Sequence, residues 1–183
     1  YRGNTRNAIL LLCLTAILLK PVPGWHVVLA SVLLGIGTAL HVLVKGSLIR
    51  NTIVCRTGPY RLCRHPYYLA SFIIDAGFCL LTGNPYVLTL LPFLFLWGYG
   101  PSLRSEERRL LGLHGEAYLA FAAETPQLFP DTPPARWGRS LFADFAARRL
   151  TPNEVRRGLR FWGAFLGLLA LQGGSALLRT GSP

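Results

Sequence analysis

The chain has 183 residues, of which 51% are hydrophobic and only 15% charged, well under the roughly 25% charged residues of ordinary soluble domains. With a mean hydropathy of +0.38, this composition excludes a soluble globular domain and points to one polytopic membrane domain. The net charge of +11 raises nucleic acid as a partner. However, the charges sit between long apolar runs, as loops between membrane helices require, and no aromatic–basic interleaving supports a nucleic-acid surface.

In chain order, the first apolar run is residues 8–19, closed by Lys20-Pro21-Val22-Pro23-Gly24. The chain begins at Tyr1 and contains no methionine, which predicts a missing or processed start and an upstream helix. The second run, residues 25–44, has the roughly 20 residues that a spanning helix needs, with the Pro/Gly turn between the two forming a hairpin. From Tyr67 to Gly100 the only charge is Asp75. That stretch is too long for one span at about 1.5 Å per residue. It divides at Thr82-Gly83-Asn84-Pro85, predicting helices near 66–81 and 86–102. A fifth run at 161–178 carries Gln172, Gly173 and Gly174 and either spans or lies in the interface. The predicted fold is an all-α membrane bundle of four or five helices. Residues 1–130 form its core, and 131–183 are a basic tail plus the fifth helix.

Residues 45–66 hold Lys45, Arg50, Arg56, Arg61 and Arg64 and no acid, whereas the two hairpin turns hold Lys20 and nothing. The asymmetry places 45–66 and 104–160 on the cytoplasmic side. Arginines 136, 139, 148, 149, 156, 157 and 160 face only Asp131, Asp144 and Glu154 in the tail. The tail then either lies as an amphipathic helix on anionic headgroups or is a solvated linker. Trp25, Trp97 and Tyr99 read as interface-belt aromatics. Of the four cysteines, Cys13 and Cys79 read as packing residues. Cys55 and Cys63 flank the basic loop, and no His/Cys spacing suits a metal.

Two constellations carry the chemistry. In Arg64-His65-Pro66 the histidine is pushed out of helical conformation by the proline, and Pro66 opens a helix as its first residue. The free N–H groups of that first turn attract anions, and Arg61 and Arg64 add forked donors suited to a carboxylate or phosphate. The same residues also suit an ordinary positive helix cap with a proline start. About 40 residues later come the adjacent Glu106 and Glu107, two of only eight acids in the chain. Helical spacing puts Glu107, Leu111, His114 and Tyr118 on one face, and Gly112 and Gly115 mark a bend or a close approach. The alternative is a surface helix with Glu-to-Arg pairs. Together the constellations describe a divided site, cationic on one side and anionic on the other, suited to a zwitterionic amino-acid-like ligand such as the head group of S-adenosylmethionine.

The segment "GPYRLCRHPYYLA", a hairpin, and then "EERRLLGLHGEAYLAFAAETPQLFP" resemble the isoprenylcysteine carboxyl methyltransferase and phospholipid methyltransferase superfamily. The ordered pattern is Gly58-Pro59-Tyr60, Arg64-His65-Pro66 with Tyr68, Glu106-Glu107, Gly115 with Tyr118, and the proline-containing stretch 126–130. The resemblance covers roughly residues 45–130. It implies an integral membrane enzyme using S-adenosylmethionine, with a lipid-accessible tunnel for a lipophilic or lipidated substrate. By that resemblance Arg64 and Glu107 serve the transfer itself. Tyr60, His65, Pro66, Tyr68 and Leu69 surround the cofactor, as do Glu106, Glu107 and Tyr118. The segment from Lys45 to Thr57 is shorter than the family's usual arm, so Lys45 or Arg50 is expected to take the substrate-contacting role. Asp75 is an ionisable group inside a span, a functional candidate on that ground. It either serves the substrate side or is a protonated packing residue hydrogen-bonded to Ser71. His41, near the cytoplasmic end of the second helix, either borders the site or is an interfacial histidine without a role.

Two other functions were weighed. In a membrane reductase, the arginines of 56–64 would meet the phosphates of a nicotinamide cofactor, but Glu106 and Glu107 disfavour a polyphosphate. A non-catalytic adaptor docking through its tail would leave the ordered motifs without purpose. The acceptor atom and the oligomeric state are not encoded in these patterns.

Overall fold

In a computed structural model, residues 11, 13, 22–48, 53–131 and 138–180 are described; the run 8–19 and Arg50 therefore fall almost wholly or wholly outside them. All regular structure among the described residues is helical. Helix α1 is Gly24–Ser47, α2 Pro66–Leu80, α3 Pro85–His114, α4 Glu116–Glu124 and α5 Pro152–Thr180, with short 3₁₀ turns at Gly58–Arg61, Gly138–Phe142 and Ala147–Arg149. Helices α1 and α3 are long and apolar enough to cross a membrane; α2 is apolar but has only 15 residues. Four or five spans were expected, and two helices among the described residues meet that test. Large apolar side chains face outward on both, among them Val28 on α1 and Phe93 and Trp97 on α3, a distribution suited to lipid contact.

The α2–α3 connection follows the turn chemistry of its residues. Thr82 Oγ1 donates to the Cys79 carbonyl at 2.6 Å, Gly83 takes a positive φ of 61°, and the Asn84 side chain accepts from Tyr86 N at 3.0 Å. Pro85 then starts α3 at the position where a missing N–H costs nothing. Helix α3 is longer than the predicted 86–102. The change to charged residues at Arg104 ends the apolar run but not the helix, because Leu, Arg and Glu are good helix formers. The helix runs through Pro92 and Pro101 to Gly115, whose φ of 50° stops it. Gly112 does not bend the chain or admit a neighbour: a Cβ there would meet nothing within 4 Å.

Helices α1 and α2 are the most closely packed pair. A Cβ on Gly37 would lie 2.5 Å from Ile74 Cγ1 and 3.0 Å from the Ala70 carbonyl, and one on Gly77 would lie 3.1 Å from the Ala30 carbonyl. Small residues two turns apart on each helix thus let the backbones touch, the means by which helices associate in lipid. Around this seam lie two buried clusters. One gathers Leu34, Ile74, Phe78, Leu91 and Phe165; the other, nearer the basic loop, gathers Val44, Tyr68, Leu69, Phe95 and Leu128. Tyr99 belongs to the second, 3% exposed and stacked on Phe95, so it is a core residue rather than an interface aromatic. Cys13 and Cys79 are both buried in the first.

The tail also departs from expectation. Residues 138–149 form neither an amphipathic helix nor a solvated linker but fold back onto the end of α1. Ala146 N and Arg149 Nη1 both donate to the Gly46 carbonyl at 3.0 Å, and the Phe145 ring occupies the space a Cβ on Gly46 would need. Gly58, at φ 59°, lies against the Ala143 carbonyl. Helix α5 starts at Pro152, so Arg156, Arg157 and Arg160 are helical. Thr151-Pro152-Asn153-Glu154 carries the spacing of a helix-start box.

Gly37→Ala is expected to destabilise the protein by about 1–3 kcal/mol, since backbone atoms of α2 must move. Gly112→Ala, in open space on a helix, is expected to be neutral or stabilising. Thermal unfolding in detergent checks both; equal effects would sink the account of the α1–α2 seam.

Candidate functional site

The start of α2 is fixed from outside. His65 sits at the N-cap with φ −124° and Pro66 is the first helical residue. Arg64 N and His65 N donate to the carbonyls of Pro126 and Gln127 at 2.8 and 3.1 Å. The segment after α4 therefore satisfies the two backbone donors that precede the helix, and the anion at this helix start is a side chain. Glu107 Oε1 accepts from Arg64 Nη1 at 2.8 Å, lies 3.3 Å from His65 Nε2 and accepts from the Tyr118 hydroxyl at 3.4 Å. The Arg64 bond is a charge-assisted one, of a kind contributing about 1.5–3 kcal/mol.

Adjacent residues on a helix point about 100° apart, so Glu106 turns elsewhere. Its Oε2 accepts from the Tyr68 hydroxyl at 3.1 Å, and the side chain lines a cavity of about 330 Å³, within the range for small-ligand sites. Lys45 from the end of α1, Tyr60, Arg64 and His65 share that cavity, as do Arg109 and His114 of α3 and Tyr118 and Phe121 of α4. Ile53, Val54 and Leu110 supply apolar wall. A neighbouring cavity of about 240 Å³ shares Lys45, Tyr60, Arg64, His65 and Glu106 and adds Pro66, Tyr67, Tyr68 and Arg157. Arg64 Nε is buried with no hydrogen-bond partner among the described residues. Cationic Arg64 and Lys45 lining the same cavity as the Glu106 carboxylate make the arrangement a zwitterion requires.

Most of the expected residues meet here. Arg64, His65, Tyr60, Glu106, Tyr118 and Lys45 line the larger cavity, and Pro66 and Tyr68 the smaller. Glu107 stands behind Arg64, on an open groove of α3 and α4. Leu69 is 5% exposed in the core cluster and lines neither cavity, because its position on α2 faces α1 packing rather than the helix start. Arg61 is exposed on the 3₁₀ turn and adds nothing to the anion side. His114 faces the Glu106 cavity rather than the groove that holds Glu107, on the i, i+4 row that runs from Glu106 through Leu110. Asp75 is 1% exposed in the middle of α2, about 10 Å along the helix from Tyr68, and lines neither cavity. Ser71 Oγ turns elsewhere: it donates to the Tyr67 carbonyl and meets His41 Nε2 at 3.2 Å. His41 is thus a buried, hydrogen-bonded residue stacked on Tyr67 rather than an idle interfacial one. Arg109 was missed by the sequence reading, although it lies three residues after Glu106, on the same helix face.

Burial pushes the Cys63 thiol up to about 12, so it is an inert packing residue. Cys55 is a hydrogen-bonded thiol, its Sγ 3.6 Å from the Ser47 carbonyl. Burial, and then the Glu107 charge, raise the Tyr118 phenol. Burial lowers the His65 imidazole, against the opposing pull of Glu106 and Glu107. A neutral His65 donating from Nε2 to Glu107 is the state consistent with that shift. Among the described residues no three His, Cys, Asp or Glu side chains gather as a metal would need.

The model of the isoprenylcysteine carboxyl methyltransferase family matches residues 24–112, a span holding α1, α2 and most of α3. The nickel-cobalt-cadmium resistance protein NccN of Alcaligenes xylosoxydans xylosoxydans is 32% identical over 81 residues, 44% of this chain and 38% of that protein. The cobalt-zinc-cadmium resistance protein CzcN of Cupriavidus metallidurans is also 32% identical over 81 residues, covering 44% and 37%. The protein-S-isoprenylcysteine O-methyltransferase of Schizosaccharomyces pombe is 29% identical over 105 residues, 57% of this chain and 44% of the enzyme. The chain thus matches less than half the length of each of these relatives. No solved structure matches it.

The lowered His65 makes a pH prediction. The folded state binds fewer protons than the unfolded chain just below the ordinary value of 6.5, so the contribution of His65 to stability is complete above about pH 6.5 and is lost as pH falls through the depressed value. The melting temperature in detergent is expected to fall over that window, and His65→Gln to flatten the fall. An unchanged slope in the variant would contradict the assignment.

Proposed function

Residues 24–112 belong to the isoprenylcysteine carboxyl methyltransferase superfamily, and on that premise we propose that this protein is an integral membrane methyltransferase using S-adenosylmethionine on a lipophilic acceptor, its cofactor side facing the cytoplasm. The observation that carries the proposal is the cavity that the cationic Arg64 and Lys45 line together with Glu106. Arg64 and Lys45 hold the carboxylate of the cofactor's amino-acid head and Glu106 its ammonium. The apolar wall of Ile53, Val54, Leu110 and Phe121 receives the less polar remainder. When bound, S-adenosylmethionine supplies a methyl group on a positively charged sulfur.

The chain's own residues bind, orient and exclude water, which is where effective molarity and a dry site do most for a displacement reaction. Arg64 is the binding group. Glu107 is a positioning residue that fixes the guanidinium through the 2.8 Å ion pair. His65 and Tyr118, both donating to the same carboxylate oxygen, hold Glu107 in turn. With their protons so engaged, neither is poised as a general base. An acceptor already bearing a lone pair, such as a carboxylate, needs none.

Calorimetry with S-adenosylhomocysteine on detergent-purified full chain tests the proposal. The wild type is expected to bind, Arg64→Ala and Glu106→Ala to lose about tenfold or more in affinity, and Arg61→Ala to bind as the wild type does. Folded protein that does not bind would remove the methyltransferase reading.

A further inference from the structure

Helix α5 lies wholly beyond the family-matched segment 24–112, yet it is built into the protein. Phe161, Phe165 and Leu168 enter the core cluster of α1 and α2, and Gln172 Nε2 donates to the Leu81 carbonyl at 3.0 Å. With its later turns anchored there, its first turns stand off from α1 and leave a cavity of about 270 Å³. Val42 of α1 and Val155, Leu159 and Trp162 of α5 form the apolar wall. At one end stand Lys45, Tyr67, Glu154 and Arg157. Lys45, Tyr67 and Arg157 also line the 240 Å³ cavity that holds Arg64 and Glu106. The two spaces therefore adjoin, with Lys45, Tyr67 and Arg157 as their common wall.

That end is an assembled cationic site. Lys45 Nζ lies 4.8 Å from the Tyr67 ring centre and the Arg157 guanidinium 5.8 Å from it, while Arg157 donates to the Tyr67 hydroxyl. His41 stacks on the same ring at 4.5 Å. The local acid is Glu154, with a side chain only 13% exposed. Its oxygens lie 3.7 Å from Lys45 Nζ and 3.8 Å from Arg157 Nη1, well beyond the 2.7–2.9 Å of a charge-assisted hydrogen bond. A carboxylate held loosely between two cations, at the head of an apolar cavity, is in the position of a displaceable stand-in.

We infer that the α1–α5 cavity is the acceptor subsite, that it takes an amphiphile with an anionic head, and that this head replaces Glu154 between Lys45 and Arg157. Arg157 and Trp162 of α5 are then specificity-determining residues. The inference rests on the methyltransferase reading for the word acceptor, but the binding it describes does not.

Tryptophan fluorescence of the detergent-solubilised full chain tests it, with ω-bromoundecanoate and ω-bromoundecanol as quenching probes and Trp162→Phe as the subtraction. The expected result is a saturable component, absent in Trp162→Phe, in which the carboxylate binds about tenfold tighter than the alcohol. Lys45→Gln and Arg157→Gln are each expected to abolish that preference, Lys45→Arg to retain it, and Glu154→Gln to strengthen carboxylate binding. No Trp162 component, equal affinity for the two probes, or weaker binding in Glu154→Gln would overturn the inference. So would equally strong competition by phosphatidylglycerol, which would assign the cavity to bulk lipid. Far-ultraviolet circular dichroism on every preparation confirms folding, and S-adenosylhomocysteine calorimetry on the wild type separates the two readings. Cofactor binding without bromoundecanoate binding sinks the subsite alone; the reverse sinks the methyltransferase reading and leaves the cavity standing.

Discussion

One oxygen of Glu107 gathers three donors from two parts of the chain: the adjacent Arg64 and His65 at the start of α2, and Tyr118 on α4. In a site only about a quarter exposed at Glu107, such a bond is worth more than its surface equivalent. It also fixes geometry. Without it the guanidinium has no bonded anion on this side, and the turn at Gly115 has one less reason to bring α4 back towards α2. The Arg64 and His65 amides reinforce the same junction by donating to the Pro126 and Gln127 carbonyls. The far end of the 30-residue α3 and the start of α2 are thereby clamped, and Glu106, one residue before Glu107, turns into the cavity.

A second constraint works from the opposite direction. The contact of Gly37 and Gly77 with the facing helix sets the α1–α2 spacing in the apolar part of the protein, and the His41–Ser71 hydrogen bond joins the same two helices one turn further on. Because both helices are rigid, that spacing also determines where the end of α1 arrives, and Lys45 arrives over the Tyr67 ring. A packing decision among residues with no chemistry thus places one of the cations of the site. The docked turns 138–149 hold the same helix end through the Gly46 carbonyl.

Much of this was legible in the sequence, for reasons that differ by element. The start of α2 is written in His65-Pro66, since proline restricts both its own backbone and its neighbour's, and the α2–α3 turn is written in Thr82-Gly83-Asn84-Pro85. The pairing of the Arg64-His65 end with Glu106 and Glu107 was legible because acids are so few. What was not legible depends on contacts distant in sequence. Nothing local to Gly46 or Gly58 announces that residues 138–149 will lie on them. Tyr99 has the composition of an interface aromatic and is buried only because Phe95 and Tyr68 surround it. The overrun of α3 past Arg104 was missed for another reason: hydropathy reports where a membrane run ends, whereas helix propensity reports where a helix ends.

The placement of the acids ties these threads together. In a chain carrying +11, cations brought to one place repel each other unless something anionic is brought with them. Lys45, Arg64, Arg109 and Arg157 line adjoining cavities. Three of the eight acids, Glu106, Glu107 and Glu154, stand in or beside them. They are not equivalent there. Glu107 is bonded tightly and serves the scaffold. Glu106 accepts from the Tyr68 phenol and faces the cavity. Glu154 is near its cations without bonding closely to either. A graded set of counter-ions of this kind lets the site keep its cations folded in place while leaving part of their charge available to a ligand, which a fully paired network would not.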